Sequence, residues 1–291
     1  MLTEHGITIA PSTYYDVIKR MHVVTETGLR EERLMLAIAR VHHANYGVYG
    51  ARKVWLALNR EGIGVARCTV ERLMKVLGLA GARRHRSIRT TRPDAAAPRP
   101  ADLVNRRFDP PRPNALWVAD FTYVATWVGF CYVAFVQDAF SRRILGPKAA
   151  ASMRTELVLD ALEMAIWTRA QAGITDLSGL VAHTDAGSQY VSLRYTERLA
   201  EAGAAPSVGS VGDAYDNALA ESEIGLFKTE VIRQRGPWRK LDDVEIATLE
   251  WVDWHNHRRP HTACADLTPA EVEEVHYRHQ AAHHNELLPT S

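Results

Sequence analysis

The chain has 291 residues, 46% hydrophobic and 24% charged, a balance that excludes a disordered polymer and suits one large domain or two unequal ones. Its apolar runs are too short for a membrane span and no signal peptide opens it, while three widely spaced cysteines without a Cys-x-x-Cys pair exclude a disulfide framework and argue against structural zinc, which suits a reducing cytoplasm. The net charge of +1 hides a polarity: residues 1–112 carry +10 and residues 113–291 carry −9, which suggests an anionic partner held by the front and worked on by the back.

In chain order, Pro11-Ser12-Thr13-Tyr14-Tyr15 reads as a turn before a short helix. From about Arg30, Leu34, Ile38 and Val41 recur at helical spacing, and Tyr46-Gly47-Val48-Tyr49-Gly50 ends that helix. A second helix runs from Ala51 to Arg60 with Val54, Trp55 and Leu58. After the turn Glu61-Gly62-Ile63-Gly64, Thr69 is placed to cap a third helix carrying Val70, Leu73, Met74 and Leu77. Helix, Gly-containing turn and helix is the shape of a helix-turn-helix DNA reader, with Arg67, Arg72 and Lys75 facing outward. Three short amphipathic helices also make an ordinary bundle, and the pattern alone leaves both open.

Residues 83–113 hold nine Arg, among them Arg83, Arg84 and Arg86, with six Pro, no Lys and neither helical nor strand period. An extended linker is predicted, either a soluble hinge or, given the exclusive use of Arg, a phosphate contact.

From Asn114 the pattern turns to strands: Leu116–Val124 and Phe130–Val136 joined at Gly129, and a third near Arg143–Leu145 that stops before Gly146-Pro147. A helix over residues 152–171 would bury Leu157, Ala161, Met164, Ala165 and Thr168. Then come a strand at Leu180–Thr184, a helix at Leu193–Ala202 and a strand at Pro206-Ser207-Val208. A Gly-rich mobile loop at 209–215 precedes helices at about 215–233 and 241–256. The fold class is α/β: a mixed five-stranded sheet flanked by helices, preceded by a small all-α domain. The domains are a junction segment 1–27, a helix-turn-helix-like domain 28–82, the linker 83–113, a catalytic core 114–275 and a tail 276–291.

Three acids sit where a carboxylate makes little structural sense. Asp120 interrupts an apolar strand, Asp185 ends another, and Glu221 lies in a helix-like stretch with 35 residues between it and Asp185. Buried carboxylates are costly unless compensated, and two strand acids plus one helix acid are what a two-metal phosphoryl-transfer site requires. Lys228 lies two helical turns after Glu221, on the same face, where it is either a cation that holds a DNA phosphate or a solvated Lys, and the spacing leaves both open. Asn217, four residues before Glu221, would contact DNA or orient the carboxylate. Asp138 is assigned to bracing its turn rather than to the site. His42-His43 lack the Cys pair of a zinc module, and His255, His257 and His261 lie among basic residues that suggest DNA contact.

These strands, helices and acids resemble the ribonuclease-H-like DDE transposases and retroviral integrases, and more closely the insertion-sequence-3 family of bacterial transposases. The likeness is carried by Trp117-Val118-Ala119-Asp120-Phe121-Thr122-Tyr123-Val124, Asp138-Ala139-Phe140-Ser141-Arg142-Arg143, His183-Thr184-Asp185 with Gly187-Ser188-Gln189-Tyr190, and Tyr215-Asp216-Asn217-Ala218 through Glu221 with Lys228-Thr229-Glu230. Trp254-His255-Asn256, Arg258-Arg259-Pro260-His261 and Thr268-Pro269-Ala270-Glu271 are similar to the family's closing signature. Tyr46-Gly47 and Arg72-Leu73-Met74 are similar to its helix-turn-helix segment.

The resemblance implies a DNA transposase that cuts and joins the ends of its own element. Asp120 would bridge two Mg2+ ions, or Mn2+ in their place, with Asp185 and Glu221 each completing one coordination sphere. Arg258 and Arg259 join the expected DNA contacts. Implied partners are the terminal inverted repeats, target DNA, further copies of the chain, and an upstream-frame product joined to it by frameshifting, in a bacterial cytoplasm at the nucleoid. A DNA-binding repressor without catalysis is the alternative, and a host nuclease a third reading. Two positions depart from the family pattern: Ala186 replaces a basic residue, and Ile224 replaces an Asn. Both remove polar contacts at the rim of the site, and Glu223 is expected to add negative charge near DNA.

Overall fold

The computed structural model describes residues 10–22, 25–83, 101–104, 107–185, 190, 192–209 and 218–286. It divides into two compact units, Met1–Ala82 and Arg83–Ser291.

The first unit is helical: α1 (Pro11–His22), α2 (Glu26–Ala44), α3 (Ala51–Arg60) and α4 (Arg67–Val76). Pro11 occupies the first position of α1, where proline's missing N–H costs nothing, so Pro11–Tyr15 is helix rather than the expected turn. The side chain of Thr25 accepts the Gly28 N–H at 3.1 Å, which starts α2 ahead of Arg30. Thr69 lies inside α4 instead of capping it, because the helix already begins after Ala66. Leu34, Ile38, Val41, Val54, Leu58, Val70, Leu73 and Met74 form the buried centre of this unit. The Trp55 indole N–H donates to the carbonyl of Val65 at 2.9 Å and straps the turn before α4 to α3.

The second unit is built on a five-stranded mixed sheet of ribonuclease-H-like type. Its strands are β1 (Leu116–Thr126), β2 (Gly129–Asp138), β3 (Ile144–Ala150), β4 (Val181–Thr184) and β5 (Ala205–Val208), in the spatial order β3-β2-β1-β4-β5. β1 and β2, and β2 and β3, are antiparallel; β1 and β4, and β4 and β5, are parallel. β3 continues through Gly146 and Pro147, where a stop was expected. As an edge strand it tolerates a residue without an N–H.

The helices of this unit are α5 (Thr155–Gln171), α6 (Leu193–Glu201), α7 (Ala218–Phe227), α8 (Arg233–Arg235), α9 (Leu241–His257) and α10 (Pro269–Glu286). A π-helical turn, Lys228–Ile232, links α7 to α8. Trp117, Ala119, Val136, Leu145, Leu157, Ala161, Leu162 and Ala165 form the main core together with Tyr190 and Tyr195. Gly146 permits the close contact between β3 and α5, since a Cβ there would fall 1.9 Å from the Ala161 carbonyl oxygen. Met164, expected in this core, is exposed, whereas Arg169 of the same helix is buried. Its guanidinium meets Asp138 and Glu273, a compensation that sequence periodicity does not reveal.

The opposite face of β1 buries Leu116 and Val118 against Ala139, Ala220 and Val104. Val104 belongs to the segment expected to be an extended linker. Over its described residues that segment instead packs on the second unit through Val104 and Phe108, and the Leu103 N–H donates to the Ser207 hydroxyl at 2.9 Å. At the far end, Thr268 and Glu271 exchange the two hydrogen bonds of a capping box, Thr268 N to Glu271 Oε2 at 2.7 Å and Glu271 N to Thr268 Oγ1 at 3.2 Å. α10 then runs unbroken across position 275, where a tail had been expected to begin.

Candidate active site

The register of two strands brings the acids together. β1 and β4 pair in parallel from Leu116–Val181 to Ala119–Thr184, so the next residue on each chain is an aspartate: Asp120 on β1 and Asp185 just past β4. α7 approaches the same strand through Ala220, packed on Leu116 and Val118, and the next residue on that helix is Glu221, which is exposed. The three carboxylates thus come from within β1, from just past the end of the adjacent β4 and from the helix α7.

Their mutual repulsion is felt at Asp120. Burial lifts its carboxyl well above the usual carboxylate range, the negative charge of Asp185 lifts it further and Glu221 adds to that. The Phe121 N–H, donating to Asp120 Oδ1 at 2.8 Å, and the charge of Lys228 act the other way without cancelling the rise. Three hard oxygen donors with surplus negative charge on a partly buried acid fit divalent cations of the magnesium type. Among the described residues no group of three or more His, Cys, Asp or Glu side chains closes into a ready-made metal cage. The fit is therefore one of donor chemistry and charge.

Lys228 opens the π-helical turn after α7, half-buried, with its Nζ 5.0 Å from the centre of the Tyr123 ring. Burial lowers its pKa, and Arg233 acts the same way, while Tyr123 and the charge of Asp120 oppose the fall. Tyr190 escaped the sequence reading, although it closes the quoted Gly187-Ser188-Gln189-Tyr190 motif. Its ring lies against Phe121 and Tyr195, and its hydroxyl is buried, with no partner among the described residues. Burial and the nearby Asp120 raise its pKa strongly.

Other expected site residues divide. Arg67, Arg72, Lys75, Arg83 and Arg258 are exposed. Arg67 pairs with Glu71 and Arg72 with Glu31. Asn217, Arg84, Arg86, Ala186 and most of the Gly-rich loop lie outside the described residues. Arg259, expected at DNA, is buried and committed to Glu230 through Nη2–Oε1 at 2.7 Å and Nε–Oε2 at 3.0 Å. His255 and His261 are also buried, their rings 4.3 Å apart. Only His257 of that trio is exposed, bound to Asp253.

Glu223 does not add charge near DNA. It is buried on the inner side of α7, accepts a hydrogen bond from Gln137 Nε2 at 2.8 Å and faces His255. Burial pushes its pKa up to about 8. Asp138 is wholly buried and accepts hydrogen bonds from the N–H groups of Asn114, Phe140 and Ser141 and from Arg169, the bracing role expected for it.

This combination of a helical first unit with a ribonuclease-H-like second unit matches known domain families. Residues 29–87 match an HTH-like domain, and residues 110–214 and 202–269 match integrase core domains. The putative transposase for insertion sequence element IS986/IS6110 of Mycobacterium tuberculosis is 62% identical over 92% of this chain and 96% of its own. The transposase for insertion sequence element IS629 of Shigella sonnei is 52% identical over 92% and 89%. The solved HTLV-2 integrase catalytic core domain in complex with magnesium aligns over 56% of this chain and 98% of that one, at 16% identity and a TM-score of 0.42. The fold and site define a DNA-binding enzyme of the integrase-core class. The chain belongs to the insertion-sequence-3 family of bacterial DNA transposases.

Proposed function

We propose that Asp120, Asp185 and Glu221 are the catalytic carboxylates and that they hold two divalent cations, Mg2+ or Mn2+, for cutting insertion-sequence ends and joining them to DNA. The observation that carries this reading is the convergence of Asp185 and Glu221 on the raised carboxyl of Asp120. When bound, the ions supply the charge that activates a hydroxyl for in-line attack and stabilises the departing oxygen. Asp120, which feels the charge of both other acids, would be their common partner in holding the ions. Lys228 binds a DNA phosphate next to them, aimed by the Tyr123 ring beneath its ammonium. No side-chain nucleophile is required, and the attacking hydroxyl comes from water or a DNA 3′ end.

Residues 28–82 bind DNA through the exposed face of Arg67, Arg72 and Lys75, and Arg258 adds a contact in the second unit. Several copies act together on the two ends, with the upstream-frame product or its fusion as a further partner. Strand cleavage of a labelled element end, with Mg2+ and again with a chelator, tests the reading. Cleavage should appear only with the metal. Binding with no cleavage under any divalent ion would leave a repressor instead.

A further inference from the structure

The β1–β2 hairpin ends in a loop that breaks the usual turn chemistry. Thr126 pairs with Gly129, leaving Trp127 and Val128 as the two loop residues. Such loops favour Asn-Gly or Gly-x. Here both positions are large and apolar, 70% and 79% exposed, and Gly129 takes a φ of 122°. Phe130 is 59% and Tyr123 43% exposed, their rings edge to face at 5.5 Å. Four large apolar side chains on one hairpin form a patch, where single scattered residues would need no explanation.

The exposure is held in place. The Trp127 N–H donates to the Trp238 carbonyl at 3.0 Å, and Thr126 forms a bridge to the same residue. Trp238 is buried and donates its indole N–H to Ile232 O at 3.1 Å. The Thr126 hydroxyl closes the turn by donating to Gly129 O at 2.8 Å. A loop anchored this way presents its rings as a fixed surface.

Lys228 links the hairpin to the acids, since its Nζ is 5.0 Å from the Tyr123 ring centre and it feels the charge of Asp120. β4 accompanies β1 only as far as Ala119, so from Asp120 onward this edge of β1 carries no strand among the described residues. Exposed Arg233 lies close enough to Lys228 to repel it. Duplex DNA hides its base faces and is held mainly by cations, whereas unpaired bases stack on aromatic side chains with little regard to sequence. Four apolar residues beside two cations match the second case.

We infer that Tyr123, Trp127 and Phe130 form a stacking platform for unpaired nucleotides of the DNA strand beside the scissile position, with Lys228 and Arg233 taking their phosphates. This rests on the transposase reading above and adds to it a preference for splayed over paired DNA. Tyr123 lies three residues beyond Asp120, about 10 Å along β1, and Lys228 reaches its ring.

The test is fluorescence anisotropy on the full chain with two probes, a blunt duplex and the same duplex carrying an unpaired oligo-dT 3′ tail. The wild type should bind the tailed probe about tenfold more tightly. Trp127→Ala and Phe130→Ala should each lose that preference and keep their affinity for the blunt duplex, and Trp127→Phe should retain it. Equal binding of both probes by the wild type, or a preference that survives both alanine variants, would overturn the platform. Loss of self-association in sedimentation with the preference intact would also overturn it and assign the patch to contacts between copies. Binding to neither probe would bring down the parent reading, a result distinct from the others.

Discussion

Arg169 on α5 holds Glu273 on α10 by two hydrogen bonds, Nη2 to Oε1 at 2.7 Å and Nη1 to Oε2 at 2.8 Å, and both side chains are almost wholly buried. Asp138 takes a third bond from Arg169 at 3.1 Å, while Arg143 and Ser141 complete the shell of Glu273. Breaking a buried pair strands the remaining charge. Glu273→Ala should therefore cost roughly 3–5 kcal/mol in denaturant unfolding. Glu156→Ala, which breaks the exposed pair with Arg194, should change nothing measurable. Equal effects would deny the network its role in fastening α10.

Gly146 is a second point where stability is concentrated. Gly146→Ala drives a methyl group into the Ala161 carbonyl and must push α5 off β3, at a cost of about 1–3 kcal/mol or more. Gly64→Ala meets nothing within 4 Å and serves as the control. A Gly146→Ala protein with an unchanged urea midpoint would contradict this packing.

Much of this could be read from the chain, and what could not has a common cause. α3 was legible to the residue because Gly50 and the Glu61-Gly62 turn punctuate it, and β1 and β2 because apolar residues crowd a short run. Glu223, Arg259 and His255 were misjudged, and Arg169 was missed, because a local pattern treats every charge as solvated. Their partners lie far away in sequence: 104 residues separate Arg169 from Glu273 and 86 separate Gln137 from Glu223. Pro147 hid the length of β3, since whether a strand is an edge depends on the whole sheet. Asp120 and Asp185 stand out in the sequence because each breaks or ends an apolar run.

Glu223 gives a pH-dependent prediction. Burial raises its folded pKa to about 8 from a reference value of 4.5. Between those values the folded state binds the proton more tightly, so stability falls as pH rises through the window and levels off above it. Glu223→Gln should remove this slope and make the protein more stable than wild type above pH 8. Parallel stability curves for the two proteins would refute a protonated Glu223.

Arg258 and Arg259 are neighbours with different expected losses. Arg258→Ala should leave the melting temperature unchanged and lower the salt dependence of DNA binding by about one counterion. Arg259→Ala should destabilise the fold by roughly 3–5 kcal/mol, because Glu230 is left buried and unpaired. The same stability loss in both variants would contradict the burial difference between them.

Two glutamates on α7 test the central claim most directly. Glu221 faces the aspartates from the exposed side of the helix and Glu223 faces Gln137 and His255 in the interior, two residues apart. Mg2+-dependent cleavage of a labelled element end should fall to background in Glu221→Gln while DNA binding persists. It should persist at near the wild-type rate in Glu223→Gln. Full cleavage by Glu221→Gln, or equal loss in the two variants, would contradict the assignment of Asp120, Asp185 and Glu221 as the catalytic set.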